Sequence, residues 1–448
     1  MGNKQITGFS KLSKKDKISW IAQNFLYSNP LDTVKEFASF WHDSVESQKL
    51  FDGFSENTLT NFYMPFGVAP NFIINGQDYC VPMVIEESSV VAAAANAAKF
   101  WMSRGGFKAE VLSTIKLGHV HFNYNGPKEK LVEFFPHIKE HLLKNTAEIT
   151  ANMEKRGGGI VDVELLDFTD KLENYFQLKV SFETCDSMGA NFINSVLESF
   201  AQTLVDTIDQ SSLFEEDEKE VEVIMSILSN FTDNCLVRIS TSCKVEELGS
   251  FNGMDAKTFA HKFKQAVDIA CIDSYRATTH NKGIMNGIDA VVIATGNDFR
   301  AIEACLHTYA SAEGQYKSLS TCSIEDDVFT FEMTIPLALG TVGGLTSLHP
   351  LAKRSLQILG EPNAEELMMI VAATGLAQNF AAVKSLTTTG IQAGHMKMHL
   401  NNILATLNAN DVERVSALEY FAERVISVSS VRDYLDHLRG GIEAKGSI

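Results

Sequence analysis

Residues 275–300 read Y-R-A-T-T-H-N-K-G-I-M-N-G-I-D-A-V-V-I-A-T-G-N-D-F-R. The centre of this stretch, Asn286 to Thr295, is an apolar run long enough for one buried element, helix or strand. Polar clusters stand at both ends: Arg276, His280, Asn281 and Lys282 before it, Asn297, Asp298 and Arg300 after it. Cations and a carboxylate at the ends of a buried segment suit an anionic, polarised substrate. They equally suit a structural element with solvated, ion-paired ends.

The chain around it has 448 residues, too many for one ordinary core, so two or three structural units are expected. Apolar content of 45% with 21% charged residues is that of a soluble globular protein. No apolar run approaches the roughly 18 residues of a membrane helix, and the first residues, M-G-N-K-Q-I-T, lack the apolar core of a signal peptide. A net charge of −18 argues against nucleic acid and anionic lipid as partners, so an anionic ligand must be caught by locally placed cations. Seven cysteines without a C-x-x-C pair read as free thiols in a reducing compartment, which points to the cytoplasm.

Residues 5–50 read as helical, with Ser13 as an N-cap. Pro65, Gly67, Pro70 and Gly76 punctuate the next segment, and Asn75-Gly76 marks a hairpin. Ser88 or Ser89 is placed to cap an alanine-rich helix, with Glu86 and Glu87 at its start. From Val111 strands (111–122, 160–168, 175–184) alternate with helices (128–154, 188–208), and the charge run from Phe214 to Val223 reads as a solvated helix start. A strand over 235–244, a helix over 256–272, a strand over 329–336, a Gly-rich bend from Leu339 and an apolar helix over 364–385 come next. A break at 387–390 precedes a helical tail. No G-x-G-x-x-G or Walker sequence occurs, so neither a Rossmann domain nor a P-loop is expected.

Two constellations outside the opening stretch carry chemistry. Asp186-Ser-Met-Gly-Ala-Asn191 places a carboxylate, a glycine and an amide at a strand-to-helix junction, where backbone N–H groups face an anion; an ordinary N-cap is the other reading. His395 and His399 stand at i, i+4, but Met396 occupies the place of a metalloprotease glutamate and no third ligand is near, so no metal is expected. His395, just past the Gly-rich break, reads either as a general acid on a moving segment or as a surface or capping histidine.

Together these segments resemble one family. V-I-E-E-S-S-V-V-A-A-A, D-S-M-G-A-N, I-L-S-N, T-H-N-K-G-I-M-N-G-I-D, A-T-G-N-D, G-T-V-G-G, A-Q-N-F-A-A and G-H-M occur in order, over roughly residues 5–440, at spacings compatible with the soluble, bacterial-type class II 3-hydroxy-3-methylglutaryl-coenzyme A (HMG-CoA) reductases. The resemblance implies a mixed α/β (α+β) fold. A large domain (1–110 and 229–386) binds the acyl-CoA, a small ferredoxin-like, non-Rossmann domain (111–228) inserted into it binds NAD(P), and residues 387–448 form a C-terminal helical flap. It implies reduction of HMG-CoA to mevalonate and CoA with two hydrides, in a homodimer or an assembly of dimers with the active site at the subunit interface. The same enzyme run in reverse for mevalonate catabolism, and a non-catalytic acyl-CoA-binding protein on the same fold, are the alternatives.

Carried over position by position, Glu87, Lys282, Asp298 and His395 match the catalytic residues. Arg276, Ser89 and Asn286 match residues that hold the hydroxymethylglutaryl group, and Lys11 a basic residue near the CoA phosphates. Asp186, Met188, Gly189, Asn191 and Asn230 fall in the cofactor site. In these roles Lys282 stabilises the oxyanion formed on hydride attack, Glu87 donates a proton, Asp298 bonds both, and His395 protonates the departing CoA thiolate. Asp170, near the end of the 160–168 strand, is placed to bond a ribose 2′-hydroxyl and favour NADH over NADPH; Lys171 beside it acts the opposite way. The chain departs from the family's pattern at Glu56–Thr60, where E-N-V-I-G is common, at Ser88 for the usual proline and at Ser187 for alanine.

Overall fold

The computed structural model of the protein describes residues 4–388, 390, 400–422, 424 and 426–443. Two units are distinguished, Met1–Pro65 and Phe66–Ile448. The first is built from α1 (Lys14–Ile21), α2 (Pro30–Ala38) and α3 (Val45–Asp52), each started by a side chain that accepts a first-turn N–H: Ser13, Asn29 and Ser44. Lys14 pairs with Asp52 at 2.5 Å. The departing segment folds back on α2, with Thr60 Oγ1 donating to Phe37 O at 2.8 Å.

The second unit opens with a hairpin of β1 (Phe66–Ile74) and β2 (Gln77–Val84). Its two-residue turn is Asn75-Gly76, with φ of 50° and 85°, the left-handed pair that such a tight turn requires. Then come α4 (Val90–Met102), β3 (Lys108–Val111), β4 (Lys116–Tyr124), α5 (Lys128–Asn145), α6 (Ala147–Glu154), β5 (Gly159–Asp167), β6 (Tyr175–Glu183), α7 (Ala190–Asp209) and β7 (Val221–Leu228). After these stand β8 (Leu236–Lys244), α8 (Ala256–Ile272), α9 (Ser274–Ala294), α10 (Phe299–Ser311), β9 (Ser320–Glu325), β10 (Val328–Pro336), α11 (Gly344–Leu348), α12 (Pro350–Ile358) and α13 (Ala364–Thr387). The last described elements are α14 (400–406), α15 (Asp411–Tyr420) and α16 (Val428–Glu443).

Two antiparallel four-stranded sheets organise this unit, ordered β3-β8-β10-β9 and β5-β6-β4-β7. The chain leaves the first sheet after Val111, enters the second at Lys116, and returns between Leu228 and Leu236. The second sheet has β-α-β-β-α-β connectivity in the ferredoxin-like order. Period-two burial along β6 turns Phe176, Leu178, Val180 and Phe182 into a core shared with Val196, Leu197 and Phe200 of α7. A separate core lies around the first sheet, where Phe329 and Phe331 of β10 meet Phe263 of α8 and Phe380 of α13. Among the described residues only α13 is long and apolar enough to cross a membrane, and 78% of its apolar window is buried inside the protein. The C-terminal helices enclose a small core of their own, including Leu404, Ala417, Phe421 and Val431, and Arg439 grips Glu413 with two bonds of 2.8 and 3.0 Å.

Three local expectations are corrected. The strand expected over 111–122 is two strands in different sheets. The helix expected over 128–154 breaks at Thr146 (φ −97°, ψ 1°), whose hydroxyl bonds Leu142 O at 2.9 Å and competes with the helical ladder. The charge run is not a helix start: Glu215 and Glu218 close a single 3₁₀ turn ahead of strand β7, and Lys130 neutralises Glu218 at 2.5 Å.

Candidate active site

The opening stretch is one helix as far as Ala294, and its last residues lead into α10. Asp273 starts α9 by accepting the Tyr275 N–H, and the helix runs 21 residues. It lies in backbone contact with α13: a Cβ on Gly287 would stand 2.6 Å from Thr374 O, and one on Gly375 would stand 2.8 Å from Ile288 Cγ1. Small residues on both helices permit this approach, which fixes α9 and the side chains it carries.

His280 and Asn281 point inward rather than into a site. His280 Nε2 bonds Ser320 Oγ at 2.7 Å, and Ser320 Oγ donates to Asn379 Oδ1 at 2.8 Å. Asn281 donates to Lys317 O and accepts the Leu319 N–H. Burial, then the Arg276 charge, push the His280 pKa down to about 3. Because the native value lies below the unfolded one, acid favours the unfolded chain. We expect unfolding free energy to fall by about 1.4 kcal/mol per pH unit from this group below about pH 6.5, until about pH 3. Urea titrations of the wild type and His280→Asn at stepped pH check this; parallel slopes would refute it.

Lys282 and Asn286, one turn apart, face the other way. Lys282 Nζ donates to Glu87 Oε2 at 2.9 Å, Asn286 Nδ2 reaches the same oxygen at 3.5 Å, and Ser89 Oγ donates to Glu87 Oε1 at 3.1 Å. The Lys282 and Glu87 side chains are 63% and 37% exposed. An ion pair so exposed contributes about 0–1 kcal/mol, so stability does not account for it. Ser89 occupies the N-cap position of α4 but makes no cap bond, and its φ and ψ of −89° and −18° are helical. Arg276, in the first turn of α9, is half-buried, and desolvation lowers its pKa from the ordinary value.

Asp298 is not part of this cluster within one chain. The twelve helical steps from Lys282 to Ala294 span about 18 Å. At the far end Asp298 caps α10 through the Ala301 N–H and pairs with Arg300 at 3.7 Å. Ala301 and Ile302 line a small pocket together with Met188 and Asn230. Asp298 thus starts the helix that borders the proposed cofactor residues.

Those residues surround the start of α7. Gly189 is its N-cap, with φ of 90° and no side-chain cap bond; a Cβ there would meet Thr184 Cγ2 at 2.5 Å. A Cβ on Gly340, in the Gly-rich bend, would meet Met188 N at 2.5 Å. Asp186 does not cap α7: its Oδ1 accepts the Ala364 N–H at the start of α13, and its carbonyl accepts Thr341 N–H at 2.8 Å. Asn191 and Asn230 are exposed. Asp170 is exposed in the β5–β6 turn, and the Lys171 ammonium lies 5.4 Å from the centre of the Phe168 ring.

A family model for hydroxymethylglutaryl-coenzyme A reductase matches residues 15–400. The chain belongs to this family. It is 36% identical over 451 residues to a 3-hydroxy-3-methylglutaryl-coenzyme A reductase of Archaeoglobus fulgidus, covering 97% of this chain and 95% of that one. A probable reductase of Borreliella burgdorferi is 30% identical over 426 residues, with 92% of each chain covered. Among solved structures, the class II HMG-CoA reductase of Streptococcus pneumoniae bound to NADPH in open conformations superposes with a TM-score of 0.68 at 36% identity, over 85% of this chain and 99% of that one.

As an HMG-CoA reductase, an NAD(P)-dependent oxidoreductase, the chain keeps Glu87, Lys282, Ser89 and Asn286 in mutual reach. His395 and His399 lie outside the described residues. Lys11 stands exposed in a 3₁₀ turn (Phe9–Lys11) of the first unit. One residue, Asp289, is not singled out by the sequence alone. It stands at i+7 from Lys282 and i+3 from Asn286, on the same helix face, a spacing that signals it once the stretch is known to be helical.

Proposed function

We propose that this reductase converts (S)-HMG-CoA to mevalonate and CoA, as a cytoplasmic homodimer or an assembly of such dimers. The observation that carries the reading is the Glu87 carboxylate held by Lys282, Asn286 and Ser89 in a chain of this family. Reducing a thioester to an alcohol takes two hydrides, one from each of two reduced nicotinamide molecules that would bind in turn. The protein's part is to orient the acyl group and to manage charge and protons. Lys282 stabilises the oxyanion developing on the substrate carbonyl, and Glu87, 2.9 Å from the ammonium, passes it a proton. Arg276, Ser89 and Asn286 hold the hydroxymethylglutaryl group, and His395 protonates the leaving thiolate.

Asp298 completes the site from a second copy. The separation of about 18 Å along α9 supports this, as does the pocket that joins α10 to Met188 and Asn230. The acyl half of one copy then meets the nicotinamide half and Asp298 of another. We assign the nicotinamide site to residues 111–228 together with Asn230, the acyl-CoA site to the rest ahead of residue 387, and a flap to 387–448. The α7 start fits a dinucleotide. Bare glycine backbone and uncapped first-turn N–H groups suit a pyrophosphate, and Met188, Gly189, Asn191 and Asn230 line the approach.

Asp170 repels a 2′-phosphate, while Lys171 is drawn to the Phe168 ring, which supports NADH as the preferred cofactor. The test follows oxidation of NADH and of NADPH with HMG-CoA while CoA release is quantified. Two reduced cofactors should be consumed per CoA, faster with NADH, and Asp170→Ala should narrow the preference. Folded protein that oxidises neither would overturn the function; faster NADPH would overturn only the role of Asp170.

A further inference from the structure

Strand β4 turns Lys116, Gly118, Val120, Phe122 and Tyr124 to its buried side. Four of these suit a core, and the lysine does not. Only 3% of Lys116 is exposed. Among the described residues no carboxylate is ion-paired with it and no group is hydrogen-bonded to its ammonium. A buried charge without a partner opposes folding, so a lysine kept in this position calls for a counter-ion. The acidic residue nearest in the strand pairing, Glu183, follows the cross-strand partner Phe182 and so points to the other face of the sheet. Its carboxylate is taken up by the Thr114 hydroxyl and, at 2.8 Å, by the Cys185 N–H.

Lys116 lies beside the start of α7. A Cβ on Gly118 would stand 2.6 Å from Leu197 Cδ1 and 2.9 Å from Ile193 Cγ2, so α7 rests directly on this side of β4. Two residues back on the same side, Lys116 lines the small pocket with Met188, Ile193 and Asn230. The Ser229 N–H donates to Leu117 O at 2.8 Å, which extends the β4–β7 pairing and sets Asn230 opposite Lys116. Asn230 is exposed, so the rim of the pocket reaches the surface. Two independent features meet here: the uncapped first turn of a 20-residue helix and a buried ammonium without a counter-ion. Resting on the reductase reading, we infer that Lys116 is a cofactor-binding residue whose ammonium takes the pyrophosphate of the nicotinamide dinucleotide as its counter-ion. Burial has already stripped water from this cation, so the arriving phosphate oxygens meet a desolvated donor, in a chain whose net charge of −18 otherwise repels them.

Lys116→Met keeps the unbranched stem and removes the charge. Calorimetric titration of the full chain with NADH, NADPH and ADP-ribose reads the effect without turnover. For each ligand that the wild type binds, the variant should lose about tenfold or more in affinity; the KM for the reduced cofactor should rise likewise, and kcat should change less. Its unfolding temperature without ligand should rise, because an unpaired buried charge is gone. A variant that binds these ligands as the wild type does overturns the inference. So does a loss confined to the reduced cofactors with ADP-ribose unaffected, which would make the nicotinamide the partner. A variant that is less stable than the wild type, or does not fold, shows the ammonium to be paired inside the fold and also overturns it. Wild-type protein that binds none of the three ligands removes the cofactor reading and the inference together, whereas binding that is indifferent to Lys116→Met removes the inference alone.

Discussion

Replacing Lys282 by alanine should lower kcat with HMG-CoA by about 10²–10³-fold or more, the effect of removing a donor aimed at a developing oxyanion. The fold should be untouched. Lys282 is 63% exposed, on the solvent side of a helix whose other face is packed through Gly287, and its ion pair is worth about 0–1 kcal/mol to stability. Steady-state kinetics beside thermal unfolding separate the two effects. Activity within about tenfold of wild type would remove Lys282 from the oxyanion role. A large fall in unfolding temperature would instead make the residue structural.

Lys282→Ala and Asp298→Ala, each nearly inactive alone, should complement when mixed and refolded together. If every site draws Lys282 from one copy and Asp298 from another, half of the statistically formed dimers are mixed. Each mixed dimer carries one intact site and one doubly defective site. About a quarter of wild-type activity should therefore return, as two-fold symmetry requires. No recovery, with mixed dimers demonstrated, would place both residues in the same copy's site. This experiment bears on the geometry of α9, because a helix of 21 residues separates groups that a compact loop would have brought together.

Much of the fold was legible because its signals are local. Asn75-Gly76 demands a left-handed turn wherever it occurs, and Ser13 caps a helix by accepting the Asp16 N–H. The sheet change at 112–115 was not legible: apolar alternation continues on both sides, and nothing local says which sheet a strand joins. Likewise Thr146 looks harmless inside an amphipathic run until its hydroxyl finds a carbonyl.

At the site, Lys282 and Glu87 were readable from their sequence surroundings, and the structure brings them together. His280 and Asn281 stand beside Lys282 in sequence but turn inward, where Ser320 bonds the His280 ring and Asn379 its carbonyl, 40 and 99 residues away. The distance between Lys282 and Asp298 was also hidden while the stretch remained helix or strand. Once it is a helix, sixteen residues of sequence become the length of a domain wall.

Ser89 has a consequence outside the reaction. A serine that caps a helix normally contributes about 1 kcal/mol, and here the hydroxyl is turned to Glu87 instead. A lineage pressed only by heat would gain from turning that hydroxyl back to α4, and would loosen its hold on Glu87 in doing so. Endurance and turnover are thus set against each other at one oxygen atom, where adaptation to a hotter or cooler habitat would leave its mark.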